Sequence, residues 1–261
     1  LNRVMAQLWG RIDGYTRGRD GNSHVGDWQG NRTWTVMSHL PIAYPVACGA
    51  ALAYKMRGQP RVAMAICGDG ATSNGRLHDA LNISAIHQLP VVWIVNNNLY
   101  AYSTPNPLEF PVPTIAERAG AYGMPGVRVD AQDVLDVYRL ARDAVERARE
   151  GGGPTLIESV SLRWRGHAGH DPAKYVPKEL LEEYMTQKDP VRRFEELLRS
   201  RGIVSEQDVA DLDERIRAAF EAGYEYALTS PFPEPGDVTK GLYTDDGYWA
   251  SEPGRGGGTQ T

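Results

Sequence analysis

Short apolar runs alternate with stretches of helical periodicity along the middle of the chain. Runs of this kind at residues 62–67, 91–95 and 155–162 are each bounded by glycine, proline or polar residues, as buried strands should be. Between the first two runs, apolar or small residues recur at helical spacing (Leu77, Ala80, Leu81, Ser84, Ala85, Leu89). A strand, a helix and a second strand in this order predict a parallel crossover unit, which is right-handed by default.

The same alternation extends over most of the chain. A further strand is predicted at 127–130, and helices are predicted at 1–14, 36–58, 114–119, 133–150, 178–201 (as one helix or two) and 205–228. We therefore expect an α/β fold, with a mostly parallel sheet flanked by helices on both faces and a helical C-terminal extension. Residues 1–230 are expected to form one domain, and residues 231–261 an extended tail that is partly disordered around the glycine-rich segment 254–258.

Composition limits the possible functions. A chain of 261 residues has room for one large domain with a substantial core, and its net charge of −5 argues against a general nucleic-acid surface. Cys48 and Cys67 lie among apolar or small residues, which indicates reduced core cysteines. No apolar run reaches the length that spans a bilayer, and charged residues interrupt the N-terminal stretch. These features predict a cytoplasmic protein that binds neither nucleic acid nor membrane.

Two polar clusters directly follow two predicted strands. Gly68-Asp69-Gly70 follows the first strand, and Asn96-Asn97-Asn98 follows the second. Parallel sheets bind ligands at the carboxyl ends of their strands, so the Asp69 carboxylate and the Asn98 amide oxygen are expected to come together. Magnesium takes oxygen ligands of this kind and shares them with substrate phosphates. Gly70 and Ala71 are small enough for their backbone N–H groups to approach a diphosphate, beside the positive end of the following helix.

An ordinary crossover connection is the competing interpretation. Glycine, aspartate and asparagine dominate turns for conformational reasons, so Gly68-Asp69-Gly70 alone would favour that reading. The asparagine run at the end of the neighbouring strand shifts the balance towards a metal-bridged diphosphate site.

The two clusters together resemble the thiamin diphosphate motif. The longer string at residues 68–105 resembles the alpha subunit of the heterotetrameric 2-oxo acid dehydrogenases, the decarboxylating first components of the pyruvate and branched-chain complexes. This resemblance implies the diphosphate-binding half of a thiamin-diphosphate fold. It also implies that Gly68, Asp69, Gly70 and Ala71 line the cofactor. The magnesium ligands would be Asp69, the Asn98 side chain and the backbone carbonyl of Tyr100.

The resemblance implies further site residues on either side of the central unit. Ser38 and Leu40 resemble the segment that receives the aminopyrimidine ring, where Leu40 would be the wedge that bends the cofactor; the alternative is that Leu40 is an ordinary core residue. His167 would lie over the thiazolium ring and act as the catalytic histidine, although a lone loop histidine is usually inert. Arg163 and Asp171 would close this loop as an ion pair.

As a function, the resemblance implies oxidative decarboxylation of pyruvate or a branched-chain 2-oxo acid, with acyl transfer to a lipoyl carrier. The family places an essential glutamate on a beta subunit, so the chain is expected to be inactive alone and to work as an α2β2 heterotetramer with a lipoyl transacylase core. The usual N-terminal part of the family has no counterpart in this sequence, so the chain is expected either to be a fragment or to be completed by a separate chain. The alternatives are an acetoin dehydrogenase alpha subunit, which would share the site, and a truncated or assembly chain without catalysis.

Overall fold

The computed structural model describes residues 1–28, 30–34 and 37–240. The chain divides into two compact units, one made of Leu1–Val36 with Gln207–Thr261 and the other of Met37–Glu206. The glycine-rich segment 254–258, where disorder is expected, lies outside the described residues.

The second unit is built on a parallel sheet. Its elements, in chain order, are β1 (Ala63–Gly68), β2 (Val91–Asn97), the short hairpin β3 (Tyr100–Ala101) and β4 (Thr104–Pro105), β5 (Gly126–Asp130) and β6 (Thr155–Val160). The four longer strands form a sheet in the order β1-β2-β6-β5, and every pairing is parallel. Because Gly68 lies opposite Asn96, and Asn97 opposite Val160, the ends of β1, β2 and β6 lie side by side at one edge.

Seven α-helices occur among the described residues: α1 (Asn2–Leu8), α2 (Ala43–Met56), α3 (Gly75–Ile86), α4 (Val134–Arg149), α5 (Lys178–Thr186), α6 (Pro190–Ser200) and α7 (Glu206–Thr229). The described residues also contain four short 3₁₀ segments, at Asp69–Ser73, Asn106–Leu108, Ala116–Tyr122 and Pro235–Thr239. None of the helices in the described part of the chain is long and apolar enough to cross a membrane.

Helices cover both faces of the sheet, as the alternating pattern predicts. One face carries α2 and α3, whose buried residues share a core with Trp93 of β2. The small residues Ala47 and Ala51 let α2 approach closely. Tyr44 of α2 stacks on Trp93 at 4.7 Å between ring centroids and donates to the Ile94 carbonyl at 2.8 Å. The opposite face carries α4, which packs on a second cluster in the sheet.

The first unit contains α1 and most of α7. Trp9 and Tyr224 meet edge to face at 5.6 Å, and the Arg11 guanidinium lies 3.7 Å from the centroid of the Phe232 ring. Ser230 donates to the Asp13 carboxylate at 2.6 Å, which ties the residues after α7 to those after α1.

Proline and glycine explain where predicted helices have different ends. The helix predicted from residue 36 starts at Ala43, because Pro41 has no N–H and restricts the residue before it. The helix predicted to reach residue 14 ends at Leu8, and Gly10 has a positive φ of 64°. Residues 178–201 form two helices, separated where Asp189 caps α6. Residues 102–113, where no helix or strand is predicted, contain part of a hairpin and a 3₁₀ turn.

Leu81 provides a test of the α3 packing. Leu81 is fully buried between α3 and the sheet, whereas Ile86 on the same helix is 67% exposed. Leu81→Ala should lower the free energy of unfolding by about 2–5 kcal/mol, because it removes buried methyl groups and leaves a cavity. Ile86→Ala should change it by no more than about 0.5 kcal/mol. Urea denaturation followed by circular dichroism measures both, and equal losses would contradict this packing.

Candidate active site

Asp69 lies at the end of β1 and opens the 3₁₀ turn Asp69–Ser73, which leads into α3. Only 1% of this residue is exposed. Its carboxylate accepts the Asn106 side-chain N–H at 2.8 Å. Burial raises the pKa of Asp69, and the bonds from Asn106 and from nearby backbone amides offset only part of that rise. The strand end therefore holds a buried acid that is not fully compensated by its neighbours.

The three asparagines at the end of β2 have different roles. Asn97 is buried, donates to Glu158 Oε1 at 2.8 Å and accepts the Leu99 N–H at 3.0 Å, so it is structural. Asn96 is exposed and accepts the Ser161 hydroxyl at 2.8 Å. The Asn98 side-chain oxygen accepts two long bonds of 3.4 Å, from the Tyr100 N–H and from Arg163. Of the three, Asn98 is the amide whose oxygen is held least tightly.

Asn106 and Arg163 link Asp69 to the Asn98 segment. Asn106 donates its side chain to Asp69 and its backbone N–H to the Leu99 carbonyl at 3.1 Å, so one residue spans the ends of β1 and β2. The Arg163 guanidinium donates to Asn98, and its positive charge offsets part of the rise in the pKa of Asp69. The structure thus brings the predicted carboxylate and amide to neighbouring strand ends.

The Tyr100 carbonyl belongs to the β3–β4 hairpin. In an antiparallel pair, residues that exchange backbone bonds alternate with residues that do not. Since Asn106 donates to Leu99, the next pair, Tyr100 and Pro105, is of the second kind. The Tyr100 carbonyl is therefore directed away from β4 and is open to a partner outside the hairpin.

The two glycines of the motif differ in their surroundings. A Cβ on Gly70 would lie 2.4 Å from the Ala101 Cβ, so the turn after β1 packs directly on β3. A Cβ on Gly68 would meet no heavy atom within 4 Å. The contact between the turn and β3 therefore requires a residue as small as Gly70. From the sequence alone, the small size of Gly70 is explained only by the approach of a diphosphate.

His167 lies on the loop that follows β6, at the same edge. It is exposed, its backbone N–H donates to Asp171 Oδ2 at 2.7 Å, and its ring lies 5.0 Å from the Tyr102 ring. The expected pairing of Arg163 with Asp171 is indirect: Arg163 donates to the Tyr175 hydroxyl at 3.0 Å, and Tyr175 donates to Asp171 at 2.7 Å. The Tyr175 bond is also the main reason that the pKa of Asp171 is lowered.

Ser38 and Leu40 precede α2. Tyr44, near the start of α2, belongs to the same buried cluster as Cys67 near the end of β1, which favours a position of the residues before α2 towards the carboxyl edge of the sheet. Leu40 is 54% exposed, so the alternative that it is an ordinary core residue is wrong. Burial raises the pKa of Cys67 to about 11, so its thiol is held protonated.

Three polar residues of this edge were not predicted from the sequence, because residues 102–113 show neither helical nor strand periodicity. Asn106 binds Asp69, Tyr102 lies against His167, and Glu109 accepts the Ala101 N–H at 2.6 Å. Their polar side chains, soon after the carboxyl end of β2, are the only sign in the sequence that they belong to the site. The residues that they contact depend on the β3–β4 hairpin, which local periodicity does not predict.

The donor set suits one metal better than others. Among the described residues, no three histidine, cysteine, aspartate or glutamate side chains are grouped to hold a metal ion. One carboxylate, one amide oxygen and one backbone carbonyl form a set of hard oxygen donors. Magnesium is typically held by one or two carboxylates together with waters and phosphate oxygens, so the residues fit a magnesium diphosphate.

Gly70 and Gly75 form a matched pair for testing the contact with β3. Gly70→Ala should lower the free energy of unfolding by about 1–3 kcal/mol, since the new methyl group overlaps Ala101. Gly75→Ala adds the same group at the start of α3, where nothing lies within 4 Å, and should leave stability unchanged or slightly higher. Urea unfolding measures both variants, and a Gly70→Ala protein as stable as the wild type would contradict the contact.

The family model described as "Dehydrogenase E1 component" matches residues 1–236. The alpha subunit of acetoin:2,6-dichlorophenolindophenol oxidoreductase from Bacillus subtilis (strain 168) is 34% identical over 246 residues, covering 93% of this chain and 72% of the relative. The pyruvate dehydrogenase E1 component subunit alpha of Porphyra purpurea is 33% identical, with the same two coverages of 93% and 72%.

A third relative is the 3-methyl-2-oxobutanoate dehydrogenase subunit alpha of Mycobacterium tuberculosis (strain ATCC 25618 / H37Rv), which is 37% identical over 79% of this chain and 57% of its own length. The three relatives are named for different substrates but are all alpha subunits. With a family model matching nearly the whole described sequence, the chain belongs to the dehydrogenase E1 component family.

Proposed function

We propose that this chain is the alpha subunit of a 2-oxo acid dehydrogenase and binds magnesium and thiamin diphosphate at the carboxyl ends of β1 and β2. The observation that carries the proposal is the grouping of Asp69, Asn98 and the outward-directed Tyr100 carbonyl at neighbouring strand ends. Family membership supports the same conclusion, since the E1 components of these complexes are thiamin-diphosphate-dependent decarboxylating subunits.

Magnesium would provide the counter-charge that Asp69 lacks. Asp69 is buried with a raised pKa, and a divalent cation beside it would favour the ionised carboxylate. The long bond from Arg163 to Asn98 would give way to the cation, leaving Arg163 with its shorter bond of 2.9 Å to the Tyr102 carbonyl. The backbone of the Asp69–Ser73 turn, which includes Gly70 and Ala71, would receive the diphosphate together with the N-terminus of α3.

Bound thiamin diphosphate supplies the electron sink that allows a 2-oxo acid to lose carbon dioxide. The residues of this chain would hold the cofactor and orient the substrate beside it. Leu40, exposed before α2, would support the bent form of the cofactor, and Ser38 would meet its pyrimidine ring through the backbone. The His167 ring would donate a hydrogen bond to the substrate carboxylate, while Asp171 fixes its backbone and Tyr102 limits its rotation.

A beta subunit is the expected partner. Activation of the cofactor requires a carboxylate against the pyrimidine ring. Among the described residues of this site the acids are Asp69 and Glu109 at the metal edge, Glu158 beside Asn97 and Asp171 in the His167 loop, and each already accepts a hydrogen bond there. We infer that the missing acid comes from a beta chain in an α2β2 heterotetramer, which then delivers acyl groups to a lipoyl transacylase.

An acetoin-cleaving enzyme is the second candidate, since the acetoin relative is as similar as the pyruvate relative. Turnover of acetoin, pyruvate and 3-methyl-2-oxobutanoate by the chain with its beta subunit separates these substrates. Calorimetric titration with thiamin diphosphate and magnesium tests the third alternative, a truncated or assembly chain without catalysis. Such a chain would show no metal-dependent binding of the cofactor even with the beta subunit present.

Asp69→Asn should abolish magnesium-dependent binding of thiamin diphosphate in the same titration, because it removes the charged ligand. It should not destabilise the cofactor-free protein at neutral pH. Since the folded pKa of Asp69 is raised, its contribution to stability is complete below its ordinary pKa and is lost as pH rises through the raised value. An asparagine does not ionise, so the variant should gain stability relative to the wild type between acidic and neutral pH.

Asp171→Asn is the matched control for this pH profile. The pKa of Asp171 is lowered, so its contribution is present above its ordinary pKa and is lost as pH falls through the lowered value. The control should therefore lose stability relative to the wild type at neutral pH and recover it in acid. Urea unfolding across this range measures both, and the same sign for the two variants would contradict the assigned environments.

His167→Ala should leave cofactor affinity within about threefold of the wild type and lower kcat by about 10²–10⁴-fold, the range for a group that assists in proton transfer. His170→Ala is the control, since it removes a second exposed imidazole from the same loop, one that contacts the Tyr102 hydroxyl at 3.4 Å and has no role in the proposed chemistry. Steady-state kinetics with the beta subunit measure both. Equal losses in the two variants would show that the loop, and not His167, matters.

A further inference from the structure

Glu109 connects the turn after β4 to the hairpin that carries Tyr100. It follows the Asn106–Leu108 turn, and its Oε1 accepts the Ala101 N–H at 2.6 Å. A bond from a backbone amide to a carboxylate is stronger than a neutral one, and this bond is among the shortest made by a backbone amide in the described chain. It therefore fixes the peptide plane at the end of β3.

That peptide also carries the Tyr100 carbonyl. The Tyr100 C=O and the Ala101 N–H belong to one planar unit, and in a trans peptide they point in opposite directions. A group that holds the N–H on one side consequently sets the direction of the oxygen on the other. Resting on the function proposed above, in which this oxygen is a magnesium ligand, we propose that Glu109 is a positioning residue that aligns the Tyr100 carbonyl with the metal.

The second oxygen of Glu109 lies on the side of the turn that follows β1. Glu109 Oε2 is buried without a hydrogen-bond partner among the described residues, and it lies 4.0 Å from where a Cβ on Gly70 would be. A buried oxygen without a partner destabilises the folded chain. The nearby Arg118 donates to Thr72 at 3.0 and 3.1 Å. One oxygen of the carboxylate is therefore held by the Ala101 amide, and the other faces the Asp69 turn without a hydrogen-bond partner among the described residues.

Two other roles are possible for Glu109, an effect of its charge on the metal and a contribution to hairpin stability, and their predictions differ from those of positioning through the hydrogen bond with the Ala101 amide. If Glu109 acts through its charge on the metal, a glutamine will fail as an alanine does. If Glu109 only stabilises the hairpin, the alanine will lower the melting temperature without changing the requirement for metal. Positioning predicts that glutamine, which keeps an oxygen for the Ala101 N–H, restores the metal requirement of the wild type.

The experiment measures thiamin diphosphate binding by calorimetry at increasing magnesium concentration, using the full chain with its beta subunit. Glu109→Ala should raise the half-saturating magnesium concentration by about 10–100-fold, the usual effect of removing a group that orients a metal ligand. Glu109→Gln should stay within about threefold of the wild type. Glu117→Ala is the control, because it removes a nearby exposed carboxylate that accepts from the Thr114 hydroxyl, and it should not change the requirement.

Hydrogen exchange at Ala101 in the cofactor-free protein is the second readout. Its amide should be protected in the wild type and in Glu109→Gln and should exchange faster in Glu109→Ala. An alanine variant with the magnesium requirement of the wild type, or a glutamine variant as impaired as the alanine, would overturn the inference and leave the proposed function intact. A wild-type complex that binds no thiamin diphosphate at any magnesium concentration would overturn both.

Discussion

A buried carboxylate at the end of a parallel strand is the constraint on which the rest of this site depends. Asp69 is held almost entirely out of water, and the bonds it receives do not offset the loss of solvation, so its pKa is raised. Leaving such a group ionised without a cation is unfavourable. A divalent ion shared with a diphosphate would remove that penalty, and under the proposed function the neighbouring Asn98 and Tyr100 oxygens would be further ligands of a magnesium ion.

The fold brings these groups together without any sequence proximity. Parallel pairing in register places the ends of β1 and β2 next to each other, and β6 adds the loop with His167 on the far side of β2. The small residues of α2 and the buried face of α3 pack these two helices against β1 and β2. The turn after the hairpin then provides Asn106, which binds Asp69, and is followed by Glu109, which binds the Ala101 amide. Hydrogen bonds therefore hold the carboxylates of Asp69 and Glu109 at this edge, whereas His167 is exposed.

Much of this arrangement could be predicted from local patterns. The apolar runs, the glycine and asparagine clusters and the helical spacing of α3 and α4 identified the parallel sheet and the edge that carries Asp69 and Asn98. These features depend on residues close in sequence. The direction of the Tyr100 carbonyl, the orphaned oxygen of Glu109 and the Tyr175 bridge between Arg163 and Asp171 depend on a hairpin and on long-range contacts. Composition and periodicity contain no information about such contacts.

The assignment of Tyr100 and Asn98 as metal ligands can be tested directly by locating the ion. Crystals of the complex grown with thiamin diphosphate and manganese in place of magnesium would show the metal by its anomalous scattering. The account predicts one peak at about 2.1 Å from Asp69, the Asn98 side-chain oxygen and the Tyr100 carbonyl, with the remaining positions taken by diphosphate and water. A peak bound elsewhere, or a diphosphate seated at this edge with no metal between it and Asp69, would contradict the account.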